Sequence, residues 1–208
     1  MPRKAEDAQV GDRLQRRREQ TARQLLDAAR TVLASKGYHA TKIVDIARAA
    51  QVGVGTFYLY YPTKEALFLE LVEDAVAQLK AQMDCVRSSV TEPVEQARVR
   101  TLTFFRFASD NRELFRIVFG HGASFHDVVR RCQDNFINDM RESLVGGMAM
   151  GAFRPADAAV WAQALIGMSL QVVSWWIEQE GVAIEDVARS LSDLALHGIQ
   201  APAFQTPG

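Results

Sequence analysis

Apolar residues return every three or four positions along almost the whole chain, with no sustained period-two alternation of the kind that marks a half-buried strand. The pattern predicts an all-α protein of about nine helices. The first starts near Arg13 and carries Leu25, Leu26, Ala29, Val32 and Leu33 on one face. Gly37 ends it, because glycine tolerates the left-handed backbone that closes a helix. Thr41 stands where an N-cap belongs, ahead of a short helix with Ile43, Ile46, Ala47 and Ala50 inward. Gln51-Val52-Gly53 reads as a turn, and a second short helix runs from about Val54 to Tyr60 before Tyr61-Pro62 interrupts the chain. Thr63 then caps a long helix with Leu67, Leu71, Val72 and Ala75 on its apolar face, ending before Glu92-Pro93. Further on, Asn111, Ser124, Pro155 and Ala183 mark helix starts, and Gly120-His121-Gly122, Gly146-Gly147, Gly151 and Gly181 mark stops or loops.

Charge divides the chain more sharply than hydropathy does. Residues 1–64 hold 12 Lys/Arg against 6 Asp/Glu, whereas residues 65–208 hold 12 against 19. A basic head on an acidic body points to an anionic partner for the head, with nucleic acid the first candidate. Cys85 and Cys132 lie far apart without metal-like spacing, which fits reduced thiols in the cytoplasm, and the polar N-terminus has no apolar run for a signal peptide. Ala158–Ile177 lacks charge and is long enough to span a bilayer, but Gln163, Ser169, Gln171 and Ser174 interrupt it. Acidic Asp157 and Glu178 flank it where basic anchors would be expected, so a helix buried between protein partners is the expectation. His121 and His126 are badly spaced for a metal, and no residue set argues for catalysis, so no metal, cofactor or enzymatic site is expected.

Two short helices joined by a tight turn behind a longer one make a helix-turn-helix. Ala47 and Ala50 are small enough for close crossing, Val52 plugs the turn and Phe57 points to the core, while Val54, Gly55, Thr56, Tyr58 and Tyr60 form the opposite face. The order and spacing of Leu25-Leu26-Asp27-Ala28-Ala29, Gly37-Tyr38-x-x-Thr41, Asp45-Ile46-Ala47, Gly55-Thr56-Phe57-Tyr58 and Lys64-Glu65-x-Leu67 resemble the TetR family of bacterial regulators. Gly151-x-Phe153-Arg154-x-x-Asp157 adds a weaker likeness to a loop that precedes the dimer helices in many members.

The resemblance implies roles. Thr41 and Lys42 would hold a phosphate at the start of the first short helix, and Val44 could reach a base edge. Val54, Gly55 and Thr56 would enter the major groove of a double-stranded operator, and Tyr58, Tyr60 and Lys64 would bind phosphates. Gln51 stands where the family usually has glycine, at some cost in local strain, and Lys42 replaces a common small hydroxyl residue. The largely apolar groove face favours thymine-methyl contacts and readout of DNA shape.

The expected organisation is a disordered basic and polar tail over 1–12, a helix-turn-helix domain over 13–62, a helical effector-binding and dimerisation domain over 63–200, and a flexible tail over 201–208. Heptad-like stripes run along Trp161, Leu165, Met168, Val172 and Trp176 and along Ile184, Val187, Leu191 and Leu194. The family likeness implies that these two helices meet their copies in a homodimer, with Trp161, Leu165, Met168, Val172, Trp176, Val187, Leu191 and Leu194 at the interface. A phenylalanine-rich middle suits a small apolar or amphipathic effector. Phe104, Phe107, Phe119, Trp161 and Met168 are candidate linings, and Arg116, His121, Asn135 and Gln163 are candidate orienting groups. Two alternatives stay open: a carrier or enzyme with a disused helix-turn-helix, and a regulator without a small-molecule effector.

Overall fold

The computed structural model describes residues 3–120 and 122–198, with side chains from Asp12 onward except those of 120–129 and 132. All nine elements among the described residues are helices, so the fold is all-α. They form two compact units, one ending at Asp74 and the other starting at Ala75.

The head contains α1 (Arg3–Ala40), α2 (Ile43–Ala49), α3 (Val54–Tyr60) and the start of α4 (Lys64–Ser89). Helix α1 begins at Arg3, ten residues before the start expected from apolar periodicity; no proline lies between Arg3 and Asp12, and the one glycine there, Gly11, is tolerated. Gly37 interrupts it with φ +73°, a backbone that disfavours any residue with a Cβ. Leu25, Ile46, Phe57, Leu67, Phe68 and Leu71 are fully buried and form the head core, with the Tyr38 ring edge-on to Phe68 at 5.2 Å. The division at Asp74 lies beyond the expected 62/63 boundary, since the first turns of α4 supply Leu67, Phe68 and Leu71 to this core. Thr63 caps α4 as expected, its Oγ1 accepting from the Ala66 N–H at 3.1 Å.

The body contains the rest of α4 with α5 (Pro93–Asp110), α6 (Arg112–Gly120), α7 (Gly122–Ala149), α8 (Ala158–Ile177) and α9 (Ile184–His197). The Glu92 carboxylate caps α5, and α8 starts at Ala158, three residues after the expected Pro155, where Asp157 caps it by accepting from the Ala159 and Val160 N–H groups. One core joins Phe105 and Ala108 of α5 to Val173, Trp176 and Ile177 of α8 and to Ile184, Val187, Ala188 and Leu191 of α9. A second joins Ala75, Leu79 and Met83 of α4 to Phe107, with Phe104, Phe115 and Phe136 packed against it. Helix α8 is long and apolar enough to cross a membrane by composition, but Ala162, Val173, Trp176 and Ile177 pack it into the body. The expected tail over 201–208 lies outside the described residues.

These packings place most of the expected dimer-face residues against the chain's own body. Trp176, Val187 and Leu191 are buried in the chain's own core, and Met168 and Val172 pack against it. Trp161 and Leu165 are half-buried, the former under the Arg154 guanidinium at 4.9 Å, and only Leu194 of the expected set is exposed. The exposed stripe of α8 instead runs through Val160, Ala164, Gly167, Gln171 and Trp175, one residue back from the expected one. An all-round apolar helix carries two stripes with the same period, and periodicity cannot say which faces its own body. Trp175 is 51% exposed and Trp176 4%, so neighbouring tryptophans take opposite sides.

Candidate nucleic-acid interface

The two short helices are held together by backbone hydrogen bonds and by small residues. The Val52 N–H donates to Ala47 O at 2.9 Å and the Gln51 N–H to Arg48 O at 3.1 Å, closing the turn. Gln51 takes φ +57°, the left-handed conformation, so the strain expected from the missing glycine is present in the backbone. Ala47 is buried against this turn, and Phe57 anchors α3 from its inner face.

Cap chemistry differs from the expectation at Thr41. The N-cap of α2 is Lys42, whose backbone N–H donates to Asp45 Oδ2 at 3.2 Å. Asp45 also pairs with Lys36 at 3.1 Å, and the Lys36 hydrogen bond, followed by the Lys42 N–H, holds its carboxyl below the usual range. Thr41 is only 2% exposed and its hydroxyl donates back to Gly37 O at 2.7 Å. That bond consumes the hydroxyl inside the head, so Thr41 fixes the entry to α2 and its side chain is not offered to a phosphate.

Lys64 departs from its expected role in a similar way. Its Nζ donates to Tyr38 O at 2.8 Å and Thr41 O at 3.1 Å, and lies 4.1 Å from the Tyr38 ring centroid. Two of its three N–H bonds therefore tie the start of α4 to the segment after Gly37. The Tyr38 hydroxyl donates to Glu65 Oε1 at 3.1 Å, and burial, with Glu65 second, pushes its pKa up to about 12. The Glu65 carboxyl is held low, first by its own backbone N–H.

On the outer side, Lys42, Val44, Val54, Gly55 and Tyr58 are exposed, while Thr56 and Tyr60 are half-buried. Arg48 and Leu59 are exposed on the same two helices, Leu59 at 77%. Neither was among the expected contacts, although Arg48 follows Val44 by four residues and shares its helix face. A Cβ added at Gly55 would meet no atom within 4 Å, and one at Gly53 would meet only Thr56 Oγ1 at 3.9 Å. Both glycines therefore leave open space on the outer surface that internal packing does not require. Beside them, an open cleft of about 380 Å³ is lined by Thr41, Lys42, Ile43, Tyr58, Pro62, Thr63, Lys64 and Glu65. Of the groups that border this cleft, the exposed Lys42 ammonium and Tyr58 phenol are the donors not spent inside the head, a pair suited to an anion such as a backbone phosphate, while the Glu65 carboxylate marks its acidic edge.

The body gathers some of the expected effector residues and scatters others. Phe104 and Phe107 meet through Phe115, at 6.1 and 6.4 Å between ring centroids, and Phe115 reaches Phe119 at 6.0 Å. Phe115 was not an expected lining residue, yet it links the three that were. Arg116 and Phe119 border a cleft of about 180 Å³ with Ser174, Ile177 and Glu178. Arg116 is engaged by Glu113 at 2.8 Å and Glu178 at 3.6 Å. Met168 packs on the α5–α8–α9 core, Trp161 lies under Arg154, and Asn135 and Gln163 are exposed. His121 lies outside the described residues.

Residues 25–71 match the family described as bacterial regulatory proteins, tetR family, and residues 90–199 match the tetracyclin repressor-like C-terminal domain. The fatty acid metabolism regulator protein of Bacillus subtilis is 24% identical over 186 residues, covering 85% of this chain and 94% of its own. Among solved structures, the fatty acid degradation regulator FadR from Bacillus halodurans superposes with a TM-score of 0.75 at 23% identity, over 87% of this chain and 97% of that one. The regulator FadR from Bacillus subtilis, in complex with stearoyl-CoA, gives 0.74 at 22% identity, over 85% and 98%.

Proposed function

The chain belongs to the tetR family of bacterial regulatory proteins and is a DNA-binding transcriptional regulator, and from that premise we propose that it acts as a cytoplasmic homodimeric repressor, released from a palindromic operator by a small apolar or amphipathic effector. One observation carries the reading of the head: the outer surface of α3 has glycine at its cap and second position, where the fold has no use for it. Glycine inside a helix costs ~1 kcal/mol relative to alanine. Its use there is explained by a partner whose backbone or bases approach closely. Lys42, Arg48 and Tyr58 hold phosphates around that approach, and Val44 and Val54 meet base edges or thymine methyls.

A seven-residue helix reads few base pairs, so specificity calls for two copies about 34–36 Å apart in successive major grooves. The outer stripe of α8, with Trp175, Val160 and the small residues Ala164 and Gly167, is the surface we assign to the second copy. Small residues let helix backbones approach, and the exposed tryptophan supplies apolar area. The effector would enter the body by parting Phe104 and Phe107 from Phe115. Relatives named for fatty acid metabolism, one of them holding stearoyl-CoA, support a fatty-acyl class of effector. Genome-wide footprinting followed by titration of the recovered duplex tests the reading. A recurrent palindrome bound by dimer is expected, whereas uniform affinity for all sequences would overturn it.

A further inference from the structure

Several arginines of the body, half-buried Arg98 and Arg112 among them, have a carboxylate or carbonyl partner. Arg98 meets Asp193 at 3.3 Å, Arg106 meets Glu185 at 3.3 Å, and Arg116 meets Glu113. Arg112 donates to the carbonyls of Ile177 and Gln179 at the end of α8. Arg100, half-buried on α5, has only a hydroxyl: its Nη1 donates to Ser143 Oγ of α7 at 2.7 Å. The acidic groups nearby are already committed, Asp139 to Lys80 at 3.8 Å and Asp84 to Arg87 at 2.8 Å. Burial disfavours the charged form of Arg100, which Asp139 only partly offsets. A half-buried guanidinium with most of its donors uncommitted is costly to keep unless something else accepts from it.

Its neighbours indicate what that could be. Phe104 and Phe107 follow Arg100 at i+4 and i+7, on the same face of α5. Phe104 and Phe107 pack with Phe136 of α7 and Met83 of α4 in the second body core. A cation thus stands at one end of a bed of aromatic and thioether side chains, which is the division of chemistry that an anionic amphiphile presents in reverse. Methionine and phenylalanine can repack around a chain, and a guanidinium can bind a carboxylate or phosphate bidentately.

We propose that Arg100 is the head-group anchor of the effector site, and that the effector is a long-chain amphiphile ending in an anionic group, its tail lying along Phe104, Phe107, Phe136 and Met83. The proposal rests on the effector reading above and replaces Arg116 as the orienting charge. The head group is either a free carboxylate or the phosphates of an acyl thioester, and both would be held by the same donors.

The test is to titrate the full-length protein with palmitate, palmitoyl-CoA and palmityl alcohol, using wild type, Arg100→Met, Arg100→Lys and Ser143→Ala. In wild type at least one anion should bind ~10-fold or more tighter than the alcohol, as a charge-assisted hydrogen bond implies. Arg100→Met should erase that preference while leaving the alcohol's affinity unchanged; Arg100→Lys and Ser143→Ala, which keep the charge, should retain most of it. Loss for palmitate alone identifies a carboxylate head, and loss for palmitoyl-CoA alone identifies phosphate. If Arg100→Met binds the anions as wild type does, or loses alcohol and anions equally, Arg100 is not the anchor and the effector reading still stands. If wild type binds none of the three, the amphiphilic effector itself falls, and the anchor with it.

Discussion

Replacing Lys64 with methionine separates what holds the head together from what holds DNA. The ammonium donates to two backbone carbonyls, at 2.8 and 3.1 Å, and sits over the Tyr38 ring. Hydrogen bonds to charged groups contribute roughly 1.5–3 kcal/mol each, and a cation–π contact at an exposed site ~0.5–1 kcal/mol. Lys64 is half-buried, water can replace part of what is lost, and the three contacts share one ammonium, so they do not add. We therefore expect Lys64→Met to cost about 2 kcal/mol. Methionine keeps the packing of the aliphatic stem, which confines the loss to the ammonium. Urea denaturation followed by far-ultraviolet circular dichroism should show the midpoint fall with an unchanged slope. Lys42→Ala is the counterpart, because the Lys42 side chain is exposed and no packing depends on it. It should leave the midpoint where it is and flatten the dependence of log K on log salt by about one unit. An unchanged midpoint for Lys64→Met would refute the clamp. An unchanged salt slope for Lys42→Ala would remove Lys42 from the phosphate contacts.

Three further outcomes follow from particular environments. Trp175→Glu should give folded monomer by sedimentation, whereas Trp176→Ala should lose roughly 3–5 kcal/mol of stability, since only Trp176 is inside the chain's own core; a Trp175→Glu dimer would contradict the α8 surface. Gln51→Gly relieves a left-handed strain of ~1–2 kcal/mol against a glycine entropy cost of ~0.5–1 kcal/mol, so a small net gain in stability is expected, and a lower midpoint would show that the Gln51 side chain is needed. Tyr38, whose folded pKa of about 12 lies above its ordinary 10, contributes stability that is complete below pH 10 and lost as pH rises through 12; absorbance titration should find that late phenol and lose it in Tyr38→Phe.

Much of the head was legible because each local choice there answers a steric demand. Gly37 at φ +73°, small Ala47 at the turn and Phe57 in the core follow from residue type and spacing alone. What escaped was the destination of polar atoms. A threonine before a helix can cap it or bond backward, and only the folded position of Gly37 O decides that Thr41 does the latter. Lys64 reads as an exposed cation until the segment after Gly37 comes within reach of its ammonium. In the body, the stripes of α8 were visible but not their sides, because every face of that helix is apolar. Arg100 does not stand out in the sequence for a related reason. Its meaning lies in the carboxylates that pair elsewhere, and such pairing is long-range.

If the outer surface of α2 and α3 meets DNA at close range, Gly55 is where an added methyl group would be felt first. A Cβ there touches nothing within 4 Å in the head, so Gly55→Ala should fold as well as wild type or slightly better. Titrating the operator duplex recovered by footprinting with wild type and Gly55→Ala, alongside their denaturation midpoints, gives both readouts. An undiminished midpoint together with at least ~10-fold weaker operator binding, the equivalent of ~1.4 kcal/mol, is expected. Operator affinity equal to wild type in the folded variant would mean that DNA does not approach α3 at Gly55, and the assignment of this surface would be wrong.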